Sequence, residues 1–309
     1  MRQYEKTHPW ISFQVDLRAV PYSHWIKLGE CTSIVEHISR VPLVHDSAEN
    51  FYKVYLAKGV HATTAIEGNT LTEEDVLRHL DGELELPPSH EYLAQEVDNI
   101  IKAIDATSGG MREESVEPLE IDWIREINRA VLDKLEQQEG SKPGTIRAYS
   151  VGVGGRYRGA PPEDCEYLLE RLCQWLRDEF KVPEGEEITF AIIRAVIAHL
   201  YVAWIHPFGD GNGRAARLLE FAILLRSGIP LPACHLLSIH CGATRAEYAR
   251  QLARTNQSGG EVVPFLYYAV QGLLDGLRGQ LEMIWEQHMD IVGKHHIVQH
   301  FPSQDTVPG

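Results

Sequence analysis

Apolar residues recur at three- to four-residue steps along most of this chain, the period of a helix with one buried face. Ile193, Ile197, Leu200 and Trp204 mark one such face, and Leu218, Leu219, Ala222, Ile223 and Leu225 mark another, until Gly228-Ile229-Pro230 stops the second helix. The same period predicts helices over 24–39, 47–66, 91–106, 121–135, 163–180, 188–205, 244–256 and 262–287. The helix over 47–66 runs into Glu67-Gly68-Asn69, where Gly and Asn accept the left-handed conformation that ends a helix. Thr72, with Asp75 three positions on, forms a capping box for the next helix. Residues 1–20 lack a period and are broken by Pro9, which predicts an extended arm lying on the fold.

One stretch changes character. Arg147-Ala148-Tyr149-Ser150-Val151-Gly152-Val153 alternates and is rich in strand formers, and Gly154-Gly155 supplies a turn before Arg156-Tyr157-Arg158. This predicts a small β-hairpin over 145–160 in a mainly α chain. Its glycines do not open a helix, since Pro161-Pro162 follows, so a dinucleotide fingerprint fails.

Between the two apolar helices lies His206-Pro207-Phe208-Gly209-Asp210-Gly211-Asn212-Gly213-Arg214-Ala215-Ala216-Arg217. A glycine turn before a helix with solvated arginines would account for a lone Gly-x-Gly-Arg. The convergence of His, Asp, Asn and two Arg asks for more. The first turn of a helix carries unsatisfied N–H groups and about half a positive charge. Gly211 and Gly213 let anionic oxygens approach those amides, and that of Asn212, closely, while Arg214 and Arg217 project from the same turn. Together they make an anion hole suited to a polyphosphate. Asp210 at its edge is a candidate Mg²⁺ ligand, and His206 is a candidate general base near pH 7. Phe208 is read as an anchor of the loop in the core.

The residues His206 to Arg217 resemble the complete signature of Fic proteins, His-x-Phe-x-Asp/Glu-Gly-Asn-Gly-Arg-x-x-Arg, without departure. Most characterised relatives are adenylyltransferases that move AMP from ATP to a hydroxyl side chain of a target protein. The resemblance implies a Fic-type helical bundle whose hairpin is a flap that clamps an extended target segment by main-chain pairing. His206 would take the proton of a Tyr, Thr or Ser hydroxyl, Asp210 would hold Mg²⁺, and Arg214 and Arg217 would hold the β- and γ-phosphates. Tyr248 falls where relatives place a tyrosine near adenine. Gly213 stands where a kinase-like branch of the family has Lys, which favours AMP transfer over phosphate transfer. Transfer of another phosphate-linked group, removal of AMP, and a non-catalytic ATP-sensing adaptor are the alternatives.

Thr63-Thr64-Ala65-Ile66-Glu67-Gly68 resembles the inhibitory motif of many Fic proteins, Ser/Thr-x-x-x-Glu-Gly/Asn. By itself Glu67 could be a solvated residue at a helix end, where its charge is unfavourable without a partner. The resemblance implies that Glu67 pairs with Arg217 and competes with the γ-phosphate for it, the default state being off. The implied organisation is a helical extension over 1–85, a catalytic core over 86–235, and C-terminal helices with a polar tail over 236–309.

Composition narrows the picture. The 309 residues suffice for a large core, and the net charge of −15 argues against a nucleic-acid-binding surface, though not against a local anion pocket. Cys31, Cys165, Cys173, Cys234 and Cys241 contain no Cys-x-x-Cys and read as reduced thiols of a cytoplasmic protein. Cys234-His235 and His240-Cys241 lack usual zinc spacing and read as packing residues. No run is expected to span a membrane, because the best candidate, 191–205, contains Arg194 and His199. The expected partners are ATP and a target protein docking on the flap, with a homodimer left open.

Overall fold

The computed structural model describes the backbone of residues 1–42, 45–110, 119–137, 140–153 and 157–300. The predicted turn at Gly154-Gly155-Arg156 and the polar tail at 302–309 lie outside the described residues. In chain order the helices are α1 (Tyr4–Thr7), α2 (Tyr22–Arg40), α3 (His45–Glu67), α4 (Glu73–Leu80), α5 (Glu91–Gly110) and α6 (Ile121–Val131). Strands β1 (Gly152–Val153) and β2 (Tyr157–Arg158) follow, then α7 (Pro162–Gln174), α8 (Glu187–Ile205) and α9 (Asn212–Arg226). The last helices are α10 (Leu231–Cys234), α11 (Leu236–Ala243), α12 (Arg245–Gln257) and α13 (Val263–His300).

The core is built around α8. Between Ala191 and Ile205 only Arg194 and Ala203 are less than fully buried, because α2, α7, α9 and α13 all pack on this helix. A helix enclosed on every side can be apolar all round. This corrects the expectation about membrane spans: by length and composition α8 could cross a membrane, yet most of it is buried inside the fold. The antiparallel partner α9 carries the glycine-rich loop, α3 packs on α11, and α5 and α6 close the side of α9. The capping box at Thr72 and Asp75 forms in both directions, and Gly68 takes the left-handed conformation after α3.

The arm lies on the fold as expected but is not wholly extended, since Tyr4–Thr7 and Leu17–Ala19 form short helical turns. Tyr4 N–H donates to Asp164 at 2.8 Å, His8 Nε2 pairs with the Arg158 carbonyl at 2.8 Å, and Phe13 N–H donates to the Tyr201 hydroxyl at 3.1 Å. The strand is shorter than the alternation predicts. Among the described residues Gly152 and Val153 pair with Arg158 and Tyr157, while Ile146 bridges to Phe208 and Arg147 N–H donates to the Pro207 carbonyl. The first half of the predicted strand is thus recruited by the polar loop. Helices α10 and α11 have no counterpart in the apolar period, which Pro230 and Pro232 interrupt. The predicted helix over 121–135 stops at Val131, with Lys134 left-handed. His235 packs on Phe221 at 4.9 Å, and among the described residues no three potential metal ligands cluster.

Candidate active site

The loop between α8 and α9 is folded by its own polar residues. Asn212 Oδ1 accepts the Phe208 N–H and its Nδ2 donates to the Phe208 carbonyl, both at 2.9 Å, which closes a tight ring around Gly209-Asp210-Gly211. Phe208 is fully buried and pins that ring to the core. Asn128 of α6 supplies an outer brace: its Nδ2 donates to the Asp210 carbonyl at 2.8 Å and its Oδ1 accepts the Gly144 N–H at 2.9 Å. Gly211 precedes α9 with φ of +73°, a conformation that costs a residue with a Cβ. Nor is there room for one, since a Cβ there would lie 2.8 Å from Asn128 Nδ2.

The glycines and arginines expected to line an anion hole stand together at the first turn of α9. A Cβ at Gly213 would lie 2.5 Å from Glu67 Oε1 and 3.1 Å from Arg217 Nη1, so the glycine is what lets charged groups reach the first turn of α9. Arg217, 1% exposed, donates through Nη2 to Glu67 Oε1 at 2.6 Å and to the Thr63 carbonyl at 3.1 Å. Burial by itself would raise the Glu67 carboxyl, but the Arg217 guanidinium and its hydrogen bond outweigh it and hold the acid below its ordinary range. Arg214 donates to Glu96 of α5 at 2.5 Å and to Asp210 at 3.4 Å. Glu96 in turn accepts from Asn69, just past the end of α3.

These partners leave donors over. Arg217 Nε and Nη1 and Arg214 Nε are buried and, among the described residues, without a hydrogen-bond partner. Orphaned guanidinium N–H groups are costly unless something anionic arrives to satisfy them. This is the feature that fits a bound polyphosphate. Asp210 fits a Mg²⁺ ion bound chiefly through phosphates, the usual arrangement where a protein contributes one or two carboxylates. Its Oδ1 takes the Gly211 N–H at 2.5 Å and faces Arg214, and its side chain stays partly open.

His206 ends α8 in the left-handed conformation, φ 49° and ψ 58°, and is half-buried. Burial first, and the Arg147 guanidinium second, push its pKa down to about 4, against weaker opposing effects of the Ala203 backbone, Glu67 and Asp210. The imidazole is therefore neutral at pH 7 and able to accept a proton.

Tyr248 is 7% exposed, and its hydroxyl bonds His199 Nε2 at 2.8 Å, whose Nδ1 meets Glu220 at 2.7 Å. Burial pushes the phenol pKa up, and the hydroxyl is held in a core network with His199 and Glu220. Four residues take places at the site that the sequence does not mark: Asn69, read there only as a helix end, Arg147, read only as part of a strand, and Glu96 and Asn128. Each sits on a distant segment as an ordinary polar residue, and no local spacing marks it.

Residues 118–224 match the Fic/DOC family model. The chain is 34% identical over 212 residues to the protein adenylyltransferase fic-1 of Caenorhabditis elegans, covering 69% of this chain and 38% of that protein. It is 30% identical over 212 residues to the protein adenylyltransferase Fic of Nematostella vectensis, covering 69% of this chain and 45% of that one. The chain thus spans less than half the length of these curated relatives. A solved structure of residues 134–508 of the Caenorhabditis elegans protein superposes with a TM-score of 0.67 at 26% identity, covering 86% of this chain and 74% of that one. The crystal structure of a Fic family protein from Desulfovibrio desulfuricans G20 shares the fold, with a TM-score of 0.70 at 23% identity over 86% of this chain and 76% of that one.

Proposed function

We propose that this chain, whose residues 118–224 match the Fic/DOC family model, is a protein adenylyltransferase of that family, moving AMP from ATP to a hydroxyl side chain of another protein and held off by Glu67. The observation that carries this reading is the set of orphaned guanidinium N–H groups on Arg214 and Arg217, beside a glycine-lined helix start and within one loop of a neutral imidazole.

In this reading the β- and γ-phosphates take the donors of Arg214 and Arg217, with the backbone amides of Asn212 and Gly213 completing the cradle. His206 accepts the proton of the target hydroxyl. The freed oxygen attacks the α-phosphorus in line, the bond to the bridging oxygen breaks, and pyrophosphate leaves. Asp210 would hold a Mg²⁺ ion, which when bound supplies charge neutralisation of the phosphates. The target's main chain pairs with the hairpin that ends in β2, as the partner strand of an exposed edge. Glu67 already occupies Arg217, so a nucleotide that binds beside it lacks one anchor of its γ-phosphate. A misplacement of about 1 Å at the reacting centre can cost on the order of a hundredfold. Residues 1–85 would then be a regulatory extension on a catalytic core over 86–235.

The experiment uses ATP labelled separately at the α- and γ-phosphorus, with the Glu67→Gly and Glu67→Gly/His206→Ala proteins. Label from the α position on protein in the first, and none in the second, is expected. Retention of the γ label would make the activity phosphate transfer. Label from neither, with ATP bound, would support a sensor without catalysis.

A further inference from the structure

A buried cation without an anion needs explaining. Arg147 is 4% exposed, and among the described residues no carboxylate pairs with it. Its guanidinium instead donates to backbone carbonyls: Nε to His206 at 2.7 Å, Nη1 to Tyr149 at 2.6 Å, and Nη2 to Ala160 at 2.5 Å and Ile205 at 3.4 Å. Two of these carbonyls belong to the end of α8 and two to the stretches flanking the hairpin.

The end of α8 is closed in part by His206 itself, left-handed with its N–H on the Val202 carbonyl. A helix leaves its last carbonyls without intrahelical partners, and here the hairpin region supplies them. Tyr157 Oη donates to the Trp204 carbonyl at 2.5 Å, Ala160 N–H to Ile205 at 3.1 Å, Arg147 Nε to His206, and Arg147 N–H to Pro207 at 3.0 Å. A guanidinium also suits the negative end of the helix dipole. His206 meanwhile sits in a left-handed conformation that a residue with a Cβ keeps only when its surroundings over-determine it. Gly159 completes the arrangement: a Cβ there would lie 2.8 Å from Arg147 Nη2 and 2.9 Å from His206 Cβ.

We propose that Arg147 is the positioning residue for His206, a four-carbonyl clasp that joins the base of the hairpin to the end of α8 and so fixes where the imidazole stands. The hairpin that receives the target and the residue that takes its proton are then one mechanical unit, which a target strand engages as a whole. This rests on the transferase reading above.

The test is made in the Glu67→Gly parent. Arg147→Met should lower kcat about a hundredfold, the scale of a misplacement of about 1 Å, while the Kd for ATP, measured by calorimetry, stays within twofold. Arg147→Lys keeps the charge, but a single ammonium cannot span four carbonyls, so at least a tenfold loss should persist. In protein labelled with ¹⁵N-histidine, the His206 imidazole signals should shift and broaden in Arg147→Met, a change a remote packing defect does not produce. If Arg147→Met does not fold, Gly159→Ala drives a Cβ between the same two groups and should give the same separation of kcat from ATP affinity. A kcat within threefold of the parent, an unmoved His206 signal, or ATP affinity lost in parallel with rate would each overturn the proposal. A parent that transfers nothing would instead count against the transferase reading, and the His206 signal would still report on Arg147.

Discussion

Replacing Glu67 by Gly perturbs two balances at once, and their signs are opposite. In the folded protein the carboxylate is 2.6 Å from a guanidinium that is 1% exposed, and the Glu67 side chain is itself 29% exposed. Removing one partner of a buried pair costs about 3–5 kcal/mol, because the remaining charge stays buried without compensation. Here the opening on the Glu67 side lets water in, so the lower end applies, about 3 kcal/mol. For a chain of this size that amounts to a fall in Tm of roughly 5 °C. The freed Arg217 keeps one Nη2 bond, to the Thr63 carbonyl, and gains one free N–H on Nη2 beside Nε and Nη1, which lack partners among the described residues. ATP should therefore restore more stability to the variant than to the parent, with about 2.7 kcal/mol available at a concentration a hundred times Kd. Transfer of AMP should rise by about two orders of magnitude, if the γ-phosphate now reaches Arg217 and the α-phosphorus swings into line. The assay is a thermal melt with and without ATP, run beside α-labelled transfer. Unchanged Tm without ATP would refute the buried-pair argument, and a fallen Tm with no gain in transfer would refute competition for Arg217.

Two further predictions concern the base and the core behind it. With the His206 pKa near 4, transfer by the Glu67→Gly protein should be flat from pH 8 to about 6 and fall only as pH nears 4. An acid limb centred at 6.5 would show that the imidazole is not shielded as the structure indicates. The same depression means the unfolded chain binds the extra proton between pH 6.5 and 4, so this group's contribution makes stability fall as pH drops through that window. Tm measured against pH in the wild type and in His206→Ala checks it, the variant losing less. Tyr248→Phe removes the hydroxyl that bonds His199 and should destabilise by about 1–3 kcal/mol while leaving the Kd for ATP within twofold. A large loss of ATP affinity would return Tyr248 to the nucleotide.

The sequence by itself determined the helices with one apolar face, the capping box at Thr72, and the loop with its base, acid and two arginines, because these are local. Spacing of three to four residues fixes a helical face, and Gly211 and Gly213 fix where a chain can turn and an anion can approach. The pairing of Glu67 with Arg217 was legible only through resemblance, since residues 150 apart in sequence share no local signal. The tertiary structure alone decided the rest. Arg147, Asn128 and Glu96 are ordinary polar residues on separate segments until packing brings them against the loop. Tyr248 joined the core for the same reason: His199, pointing inward from α8, offers a buried partner that no spacing could reveal. Short-range periodicity encodes where the chain turns, whereas which buried charge meets which carbonyl depends on how the helices pack.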